Sequence, residues 1–420
     1  MRRLYALTFL ALAGSLSLGA QTYDLLLKGG HVIDPKSGLS AQRDIAISAG
    51  KVASIAEQIA PTEAKRTIDV SGLYVTPGLI DLHTHIVMGS GLKGTLPVEQ
   101  NVYVDSHTLR SGVTTTVDAG TTGWRNLPDF KKKIIDFVST DSGYVRTRVL
   151  ALLNIVGHGE AGEKYEQDAN DMDPKATAAA ARQYKDFVVG IKTAHYQGPE
   201  WVAVDRAVEA GKLADIPIMV DFGAFRPERP FEELVLDHLR PGDMYTHTYH
   251  GSVPMLDDEG KVRDYLFEAR RRGVKFDVGH GAGSFWWRQA VPAVRQGFLP
   301  DSISTDLHVI SMNAGMKDMT NVMSKFLNLG VSLEKVIEMS TIAPALQIKR
   351  PELGHLSAGA VADIAVLRIE HGQFGFLDVR NARLDGAKRL RYELTIREGV
   401  VVWDLNGLAG EDWRKVYGKQ

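Results

Sequence analysis

Two histidines separated by a single residue, His83 and His85, end the short apolar run that follows Pro77 and Gly78. In a strand, residues two apart project to the same face. Two imidazoles at the end of a strand can therefore bind one metal ion from one side. The chain contains 13 histidines, so such a pair also arises by chance. The alternative is two unrelated surface histidines.

Other side chains that can bind a metal or transfer a proton end further apolar runs along the chain. They are Lys192, Asp221, His247, His280 and Asp306. The sequence contains no cysteine, which excludes disulfides, zinc–thiolate sites and thiol catalysis. A metal would therefore have to be bound by histidines, carboxylates or a modified side chain.

The composition describes a large and nearly neutral protein. The chain has 420 residues and a net charge of −2, and its lack of an arginine-rich tract argues against a nucleic-acid partner. This length suits a large barrel with an accessory domain. The partner that we predict is a small-molecule substrate, and a homo-oligomer is left open.

The N-terminus has the pattern of an export signal. Arg2 and Arg3 precede an apolar run over residues 4–18, and small residues near Ala20 suit cleavage. The run is short for a membrane span, and no later stretch is long and apolar enough to be one. We expect residues 1–20 to be a signal peptide and the mature protein to be exported, periplasmic or secreted. An uncleaved anchor is the alternative.

Two β-rich segments flank a long middle region. Residues 21–75 contain short strand patterns separated by turns, and the same pattern returns in residues 353–420. Each segment alone is too small to bury both of its faces. We therefore predict a small composite β-sandwich domain that both termini build together.

The middle region, residues 76–352, alternates between strand and helix patterns. Strands are predicted at 79–83, 114–117, 148–155, 187–192, 216–220, 244–247, 275–278 and 303–305. Helices are predicted at 98–110, 174–185, 200–213, 232–239, 261–272, 316–329 and 333–341. Eight strands that alternate with helices predict an α/β fold of the (β/α)8 TIM-barrel type.

In such a barrel the active site lies at the C-terminal ends of the strands. The first predicted strand ends in the two histidines, and strands four to eight end in the other five candidates. Seven titratable side chains at the same end of a barrel indicate a shared metal site. The alternative is a set of separately paired polar residues.

Longer blocks around these residues resemble the amidohydrolase superfamily, and within it the amidohydrolase/deacetylase branch. The blocks are Gly190-Ile-Lys-Thr-Ala, Thr246-His247, Phe276-Asp-Val-Gly-His280-Gly-Ala-Gly-Ser-Phe and Ser302-Ile-Ser-Thr-Asp306-Leu-His. The resemblance covers nearly all of the mature chain and implies a metal-dependent hydrolase on a barrel. It implies a binuclear zinc centre whose ligands are His83, His85, Lys192, His247 and Asp306.

The resemblance also implies that Lys192 carries a carbamate that bridges two zinc ions. Burial favours the neutral amine that can add carbon dioxide, whereas a structural lysine paired with a carboxylate is the alternative. A metal-bound water ionises near neutral pH and can attack a polarised carbonyl. Asp306 can bind one metal, take the proton of the bridging water as general base and return it to the leaving group as general acid.

The chain departs from the common pattern at the fifth strand, which usually ends in histidine in this superfamily. Asp221 stands there instead and can still bind zinc through oxygen. We expect its added negative charge to make the bridging water less acidic. A weakly bound second metal, and hence a mononuclear site, is the alternative. We predict that His280 contacts the substrate rather than a metal.

The predicted function is metal-dependent hydrolysis of an amide or related acyl bond. The branch resemblance favours a deacetylase that acts on small N-acyl or O-acyl carboxylic acids. The first alternative is a dihydroorotase-like hydrolase of cyclic amides, although dihydroorotases usually carry an arginine where this chain has Val87. The second alternative is a non-catalytic exported binding protein on the same barrel.

Overall fold

The computed structural model of the chain describes residues 22–86, 101–139, 146–222 and 225–418. The predicted export signal and Val87 lie outside the described residues. Within the described ranges, the strands belong to two sheets. No helix in these ranges has both the length and the hydrophobicity that a bilayer crossing requires.

The strands of both sheets are numbered here in chain order. They are β1 (Leu25–Asp34), β2 (Leu39–Ser48), β3 (Lys51–Ala56), β4 (Thr67–Asp69), β5 (Tyr74–Pro77), β6 (Leu79–Thr84), β7 (Val113–Gly123), β8 (Arg148–Asn154), β9 (Val188–Ala194), β10 (Ile218–Asp221), β11 (Met244–Tyr245), β12 (Lys275–Phe276), β13 (Ile364–Leu377), β14 (Arg383–Arg397) and β15 (Val400–Asp404).

Helices occupy most of the connections between β6 and β13. The α-helices are Leu127–Phe130, Glu163–Glu166, Pro174–Gln183, Val202–Ala214, Phe231–Glu233, Asp264–Arg271, Trp287–Arg295, Val309–Asn313, Met319–Asn328, Leu333–Glu338, Ile342–Gln347 and, near the C-terminus, Trp413–Tyr417. Pro174–Gln183 shows how local sequence starts such a helix. Its N-cap Asp173 accepts hydrogen bonds from two backbone N–H groups, and Pro174 takes the first position, where no N–H is needed.

Strands from both ends of the chain form one eight-stranded sheet. Its order is β15-β14-β13-β5-β1-β2-β3, with β4 paired to β1. The N-terminal and C-terminal parts meet where β5 runs antiparallel to β13, with Val75 opposite Val366. The strands of both termini therefore share a single sheet, and the predicted sandwich of two sheets is not confirmed.

The seven strands β6 to β12 form a second sheet, in which all neighbours are parallel and follow chain order. Strand β7 shows why this sheet is central: it begins Val-Thr-Thr-Thr-Val, and every residue in it is buried. A parallel strand covered on both faces favours such β-branched residues. The mixed α/β fold predicted from the alternating pattern is confirmed.

The segment 302–307 joins the two open edges of this parallel sheet. The carbonyl oxygen of Ser302 accepts a hydrogen bond from Val278, which follows β12. At the other edge, Leu307 donates to the carbonyl of His83, and His85 donates to the carbonyl of Leu307. The predicted strand at 303–305 is thus present as an irregular segment that closes the sheet.

The predicted helix at 98–110 is wrong where the structure describes it, from residue 101 onward. Two short 3₁₀ turns, Val104–Ser106 and Leu109–Ser111, take its place. The Thr108 hydroxyl donates to the Val104 carbonyl, and the Ser111 hydroxyl donates to the His107 carbonyl. Such side-chain bonds compete with regular helical hydrogen bonding, and Gly112 ends the segment with φ of 79°.

A buried ion-pair cluster ties the two sheets together. Asp363 accepts hydrogen bonds from Arg148 of β8 at 2.6 Å and from Arg397 of β14 at 3.1 Å. Its side chain is only 11% exposed, and those of the two arginines are 15% and 10% exposed. Loss of the shared carboxylate would leave two buried guanidinium groups without it.

Replacing Asp363 with Ala should therefore lower the free energy of unfolding by about 3–5 kcal/mol, the usual cost of breaking a buried ion pair. Urea unfolding followed by circular dichroism measures this change. The matched control is Asp385→Ala, because Asp385 pairs with Arg383 at 2.7 Å but is 81% exposed. The control should cost no more than about 1 kcal/mol. Equal effects of the two substitutions would contradict a stabilising role for the cluster.

Candidate metal centre

The predicted ligands converge at the C-terminal end of the parallel sheet. His83 lies on β6, Lys192 on β9 and Asp221 at the end of β10. His85 directly follows β6, His247 lies two residues after β11, and Asp306 lies within the closing segment. All six side chains are buried: His83, His85, Lys192, Asp221, His247 and Asp306.

Two groups of donor atoms meet around His83. In the first group, His83 Nε2 lies 3.6 Å from Asp306 Oδ1, and His85 Nε2 lies 3.1 Å from the same oxygen. In the second group, His83 Nε2 lies 3.8 Å from Asp221 Oδ2, and His247 Nε2 lies 3.0 Å from Asp221 Oδ1. Each group offers three nitrogen or oxygen atoms that lie within 4.8 Å of one another.

Lys192 lies between the two groups. Its Nζ atom is 2.9 Å from Asp221 Oδ2 and 3.1 Å from His83 Nε2, and its side chain is fully buried. The amine is therefore placed where it reaches a carboxylate of one group and the imidazole shared by both.

These donor sets fit a divalent metal ion such as zinc. Ligand atoms bound to zinc at about 2.0–2.2 Å in tetrahedral geometry lie about 3.4 Å apart. The separations of 3.0–3.8 Å within the two groups bracket that value. Imidazole and carboxylate donors are also the chemistry that zinc accepts in a protein without cysteine.

The backbone is strained at two of the donors. His247 has a φ of 63° and Asp306 has a φ of 52°, in the left-handed region that residues with a Cβ seldom adopt. His195, which follows β9, shares this conformation with a φ of 56°. Strained residues of this kind cluster at functional sites, where the surrounding structure holds them.

The carboxylates of the site are held in their ionised form. Burial acts to raise the pKa of Asp306, but the neighbouring His83 and the hydrogen bond from His308 outweigh it and hold the pKa well below the usual range. Burial likewise opposes ionisation of Asp221, and the charges of His247 and Lys192 hold its pKa well below the usual range. Both side chains are therefore anionic carboxylates at physiological pH.

The pKa of Lys192 moves opposite to the direction that burial alone predicts. Burial disfavours the ammonium form, but the charges of Asp221 and Glu160 outweigh it and raise the pKa above its ordinary value. In the metal-free chain, Lys192 is therefore an ammonium group paired with Asp221. The expectation that burial keeps Lys192 in its neutral amine form is therefore wrong for the metal-free chain. The sequence pattern does not show that Asp221 and Glu160 lie close to this lysine.

His280, the predicted substrate contact, is fully buried and bonded within the protein. Its Nε2 atom lies 2.5 Å from Lys325 Nζ, and its Nδ1 atom lies 2.9 Å from the carbonyl of Gly281. Its ring stacks on Phe285 with a centroid distance of 4.6 Å. The role of His280 toward a substrate stays a prediction.

Glu160 is a buried acid near the site that the sequence pattern did not single out. Its Oε2 atom lies 3.3 Å from His85 Nδ1, yet neither carboxylate oxygen has a hydrogen-bond partner among the described residues. Burial raises the pKa of Glu160. The glycines at 157 and 159 are the sequence feature that could have pointed to Glu160, because they indicate a tight turn at the end of β8.

His195 and Glu166 form a second polar pair beside the site. His195 Nδ1 lies 2.6 Å from Glu166 Oε2, and the backbone N–H of His195 donates to the carbonyl of Asp221. Burial opposes a charge on His195, but the hydrogen bond to Glu166 and the charge of Asp221 outweigh it and raise the pKa to about 9. The half-exposed imidazole of His195 is therefore charged at neutral pH.

The chain is similar to known proteins over most of its length. Residues 287–402 match the amidohydrolase family. A deacetylase of Enterococcus faecalis is 31% identical over 360 residues, which are 83% of this chain and 90% of that protein. The crystal structure of an adenine deaminase has a TM-score of 0.81 at 29% identity and covers 91% of this chain and 100% of its own. The crystal structure of a dihydroorotase has a TM-score of 0.76 at 27% identity, over 90% of this chain and 99% of its own.

The match to the amidohydrolase family and the similarity to a deacetylase and to an adenine deaminase indicate a hydrolase that acts on carbon–nitrogen bonds. The near full-length match to the bacterial deacetylase shows that the chain belongs to the amidohydrolase family. The resemblance predicted from the sequence is thereby confirmed, and so is the prediction of a hydrolase.

Replacing Glu166 with Gln should lower the pKa of His195 toward its ordinary value of 6.5. Because the folded-state pKa of about 9 lies above the unfolded value, the charged pair contributes stability that is complete below pH 6.5 and is lost as the pH rises through 9. The metal-free wild type should therefore exceed Glu166→Gln in thermal midpoint at pH 6.5, and the difference should shrink toward pH 9.5. A difference that does not vary with pH would contradict this pairing.

Proposed function

We propose that the protein is a metal-dependent hydrolase, built on a (β/α)8 barrel, that deacylates small N-acyl or O-acyl carboxylic acids. The observation that carries the proposal is the pair of buried donor groups that share His83. The near full-length similarity to a deacetylase supports the acyl group as the part that is removed. The N-terminal signal pattern adds the proposal that the enzyme is exported.

Two zinc ions fit the proposal, with His83, His85 and Asp306 in one donor group and Asp221 and His247 in the other. Bound divalent ions of this kind lower the pKa of water toward neutrality and polarise a substrate carbonyl. In the proposed assignment, Lys192 is the group that both ions share, because its Nζ atom lies within about 3 Å of donors in both groups.

Carboxylation of Lys192 follows from the charges of the proposed site. In the metal-free chain Asp221 stabilises the Lys192 ammonium at 2.9 Å. Divalent ions would neutralise that carboxylate and repel the ammonium, so that metal binding is coupled to loss of the lysine proton. The neutral amine then adds one carbon dioxide and releases one further proton to give an anionic carbamate.

Asp306 is the proposed proton carrier. One of its oxygens lies 3.1 Å from His85 Nε2, while the other faces His308 Nε2 at 3.7 Å. The strained backbone of Asp306 directs this carboxylate into the site. Asp306 takes a proton from the attacking water and gives it to the nitrogen or oxygen of the leaving group. One residue therefore acts first as general base and then as general acid.

Replacing Asp306 with Asn should reduce kcat by about 10²–10⁴-fold, the usual contribution of general acid–base catalysis. The amide keeps the shape of the side chain but cannot carry the proton. Metal content measured on the same preparations separates loss of proton transfer from loss of metal. A variant that retains its metal and its kcat would remove Asp306 from the proposed mechanism.

Replacing Asp221 with His should move the acidic limb of the pH–rate profile to lower pH. The substitution removes one negative charge from the site, which should lower the pKa of the water that must lose a proton before it attacks. The profile of kcat/KM against pH measures the shift. An acidic limb that stays in place would show that the Asp221 charge does not set it.

A panel of substrates separates the proposed function from its alternatives. Purified zinc-loaded enzyme is assayed with N-acetyl-D-amino acids, acetylated hydroxy acids, dihydroorotate and adenine. Turnover of acetylated acids supports the proposal. Turnover of dihydroorotate or adenine alone would favour the activities named for the two structural neighbours. Bound zinc without turnover of any of these substrates would favour the alternative of a non-catalytic binding protein.

A further inference from the structure

The Nδ1 atom of His83 is bonded through a hydroxyl to a buried carboxylate. It lies 3.1 Å from Thr246 Oγ1, and this hydroxyl donates to Asp277 Oδ2 at 2.8 Å. A hydroxyl carries one proton, which Thr246 gives to Asp277, so its oxygen can only accept from the imidazole. We call His83, Thr246 and Asp277 the His83 relay. Within it, His83 carries its proton on Nδ1, and its Nε2 atom accepts from the Lys192 ammonium at 3.1 Å.

His85 has the same arrangement, built from different strands. Its Nδ1 atom lies 3.3 Å from Thr121 Oγ1, and the Thr121 hydroxyl donates to Asp118 Oδ2 at 2.9 Å. Asp118 is held in turn by the backbone N–H groups of Thr121 and Ile86. We call His85, Thr121 and Asp118 the His85 relay. The same proton count places a proton on His85 Nδ1, so that its Nε2 atom faces the Asp306 carboxylate at 3.1 Å.

Both relays lie in the interior of the protein. Thr246, Asp277, Thr121 and Asp118 are each fully buried. Asp277 also accepts hydrogen bonds from the hydroxyls of two serines of the closing segment, each at 2.6 Å. A carboxylate fixed by several donors cannot turn away from the threonine that it orients.

We propose that the two threonine–aspartate pairs are positioning residues that hold His83 and His85 in the one tautomer and orientation that can bind metal. The proposal rests on the metal centre proposed above and assigns to four buried residues a role in forming it. None of the four contributes a donor atom to the two groups. They act through the imidazoles, because a ligating histidine is oriented by the hydrogen bond of its other nitrogen.

The two relays differ in one respect that makes the proposal testable. Glu160 Oε2 lies 3.3 Å from His85 Nδ1 and can accept the proton if Thr121 is lost. His83 Nδ1 has Thr246 as its one hydrogen-bond partner in the described part of the chain. Loss of the Thr246 hydroxyl should therefore weaken metal binding more than loss of the Thr121 hydroxyl.

The experiment measures the zinc dissociation constant of the full-length metal-free protein by competition with a chromophoric chelator, without substrate. We expect Thr246→Val and Asp277→Asn to weaken zinc binding about 10- to 100-fold. Thr246→Ser, which keeps the hydroxyl, should restore wild-type affinity. Thr121→Val should have a smaller effect, and adding Glu160→Leu, which removes the second acceptor, should bring it to the level of Thr246→Val.

The matched control is Asp81→Asn. Asp81 is equally buried at the same end of the sheet and accepts from the Thr305 hydroxyl and from the backbone N–H groups of Thr305 and His83. It therefore contacts the backbone of His83 but no imidazole nitrogen, and asparagine keeps an oxygen for these N–H groups. Its zinc affinity should equal that of the wild type, and thermal unfolding of each metal-free variant verifies that it is folded. The proposed role of the relays would be contradicted if Thr246→Val bound zinc as tightly as the wild type. It would also be contradicted if Asp81→Asn and Asp277→Asn lost zinc affinity to the same extent. A wild type that binds no zinc would instead overturn the metal centre itself.

Discussion

Several charged side chains are buried at one end of the parallel sheet, and the rest of the structure must hold them together. A buried charge without a partner costs several kcal/mol, whereas a buried charge with well-placed partners is tolerated. Asp221 meets this requirement through Lys192 and His247, and Asp306 meets it through His85. Each partner comes from a different strand, so the charge balance of the site depends on the closed arrangement of the sheet.

The closing segment 302–307 is the least regular part of that arrangement and carries some of its strain. Asp306 lies within it and adopts a left-handed backbone that costs on the order of 1–3 kcal/mol. Hydrogen bonds on both sides hold the segment between β6, which contains His83, and the residues that follow β12. A regular strand would direct the Asp306 side chain along the pleat, whereas the bent backbone lets its carboxylate meet two imidazoles.

The sequence predicts that the candidate metal-binding side chains converge at one end of the sheet. It does not predict which charged groups lie next to them. Apolar runs that end in His83, Lys192 or Asp221 place these residues at strand ends, because parallel strands share one direction. The direction of the Lys192 pKa depends on carboxylates that are distant in the chain, and no local pattern shows them. Glu160 lies in a glycine-rich turn without periodicity, so neither strand nor helix patterns could identify it.

The pairing of β5 with β13 has a consequence for the order in which the chain acquires its structure. The Thr76 hydroxyl bonds to the carbonyl of Ala365, a partner 289 residues away. During synthesis, the first strands must therefore wait for nearly the whole chain before their sheet is complete. Because β6 follows β5 after the single residue Gly78, a ribosome that stops before residue 364 would leave the histidine-bearing strand attached to an unpaired edge. Such truncated chains would be prone to aggregate and open to proteases.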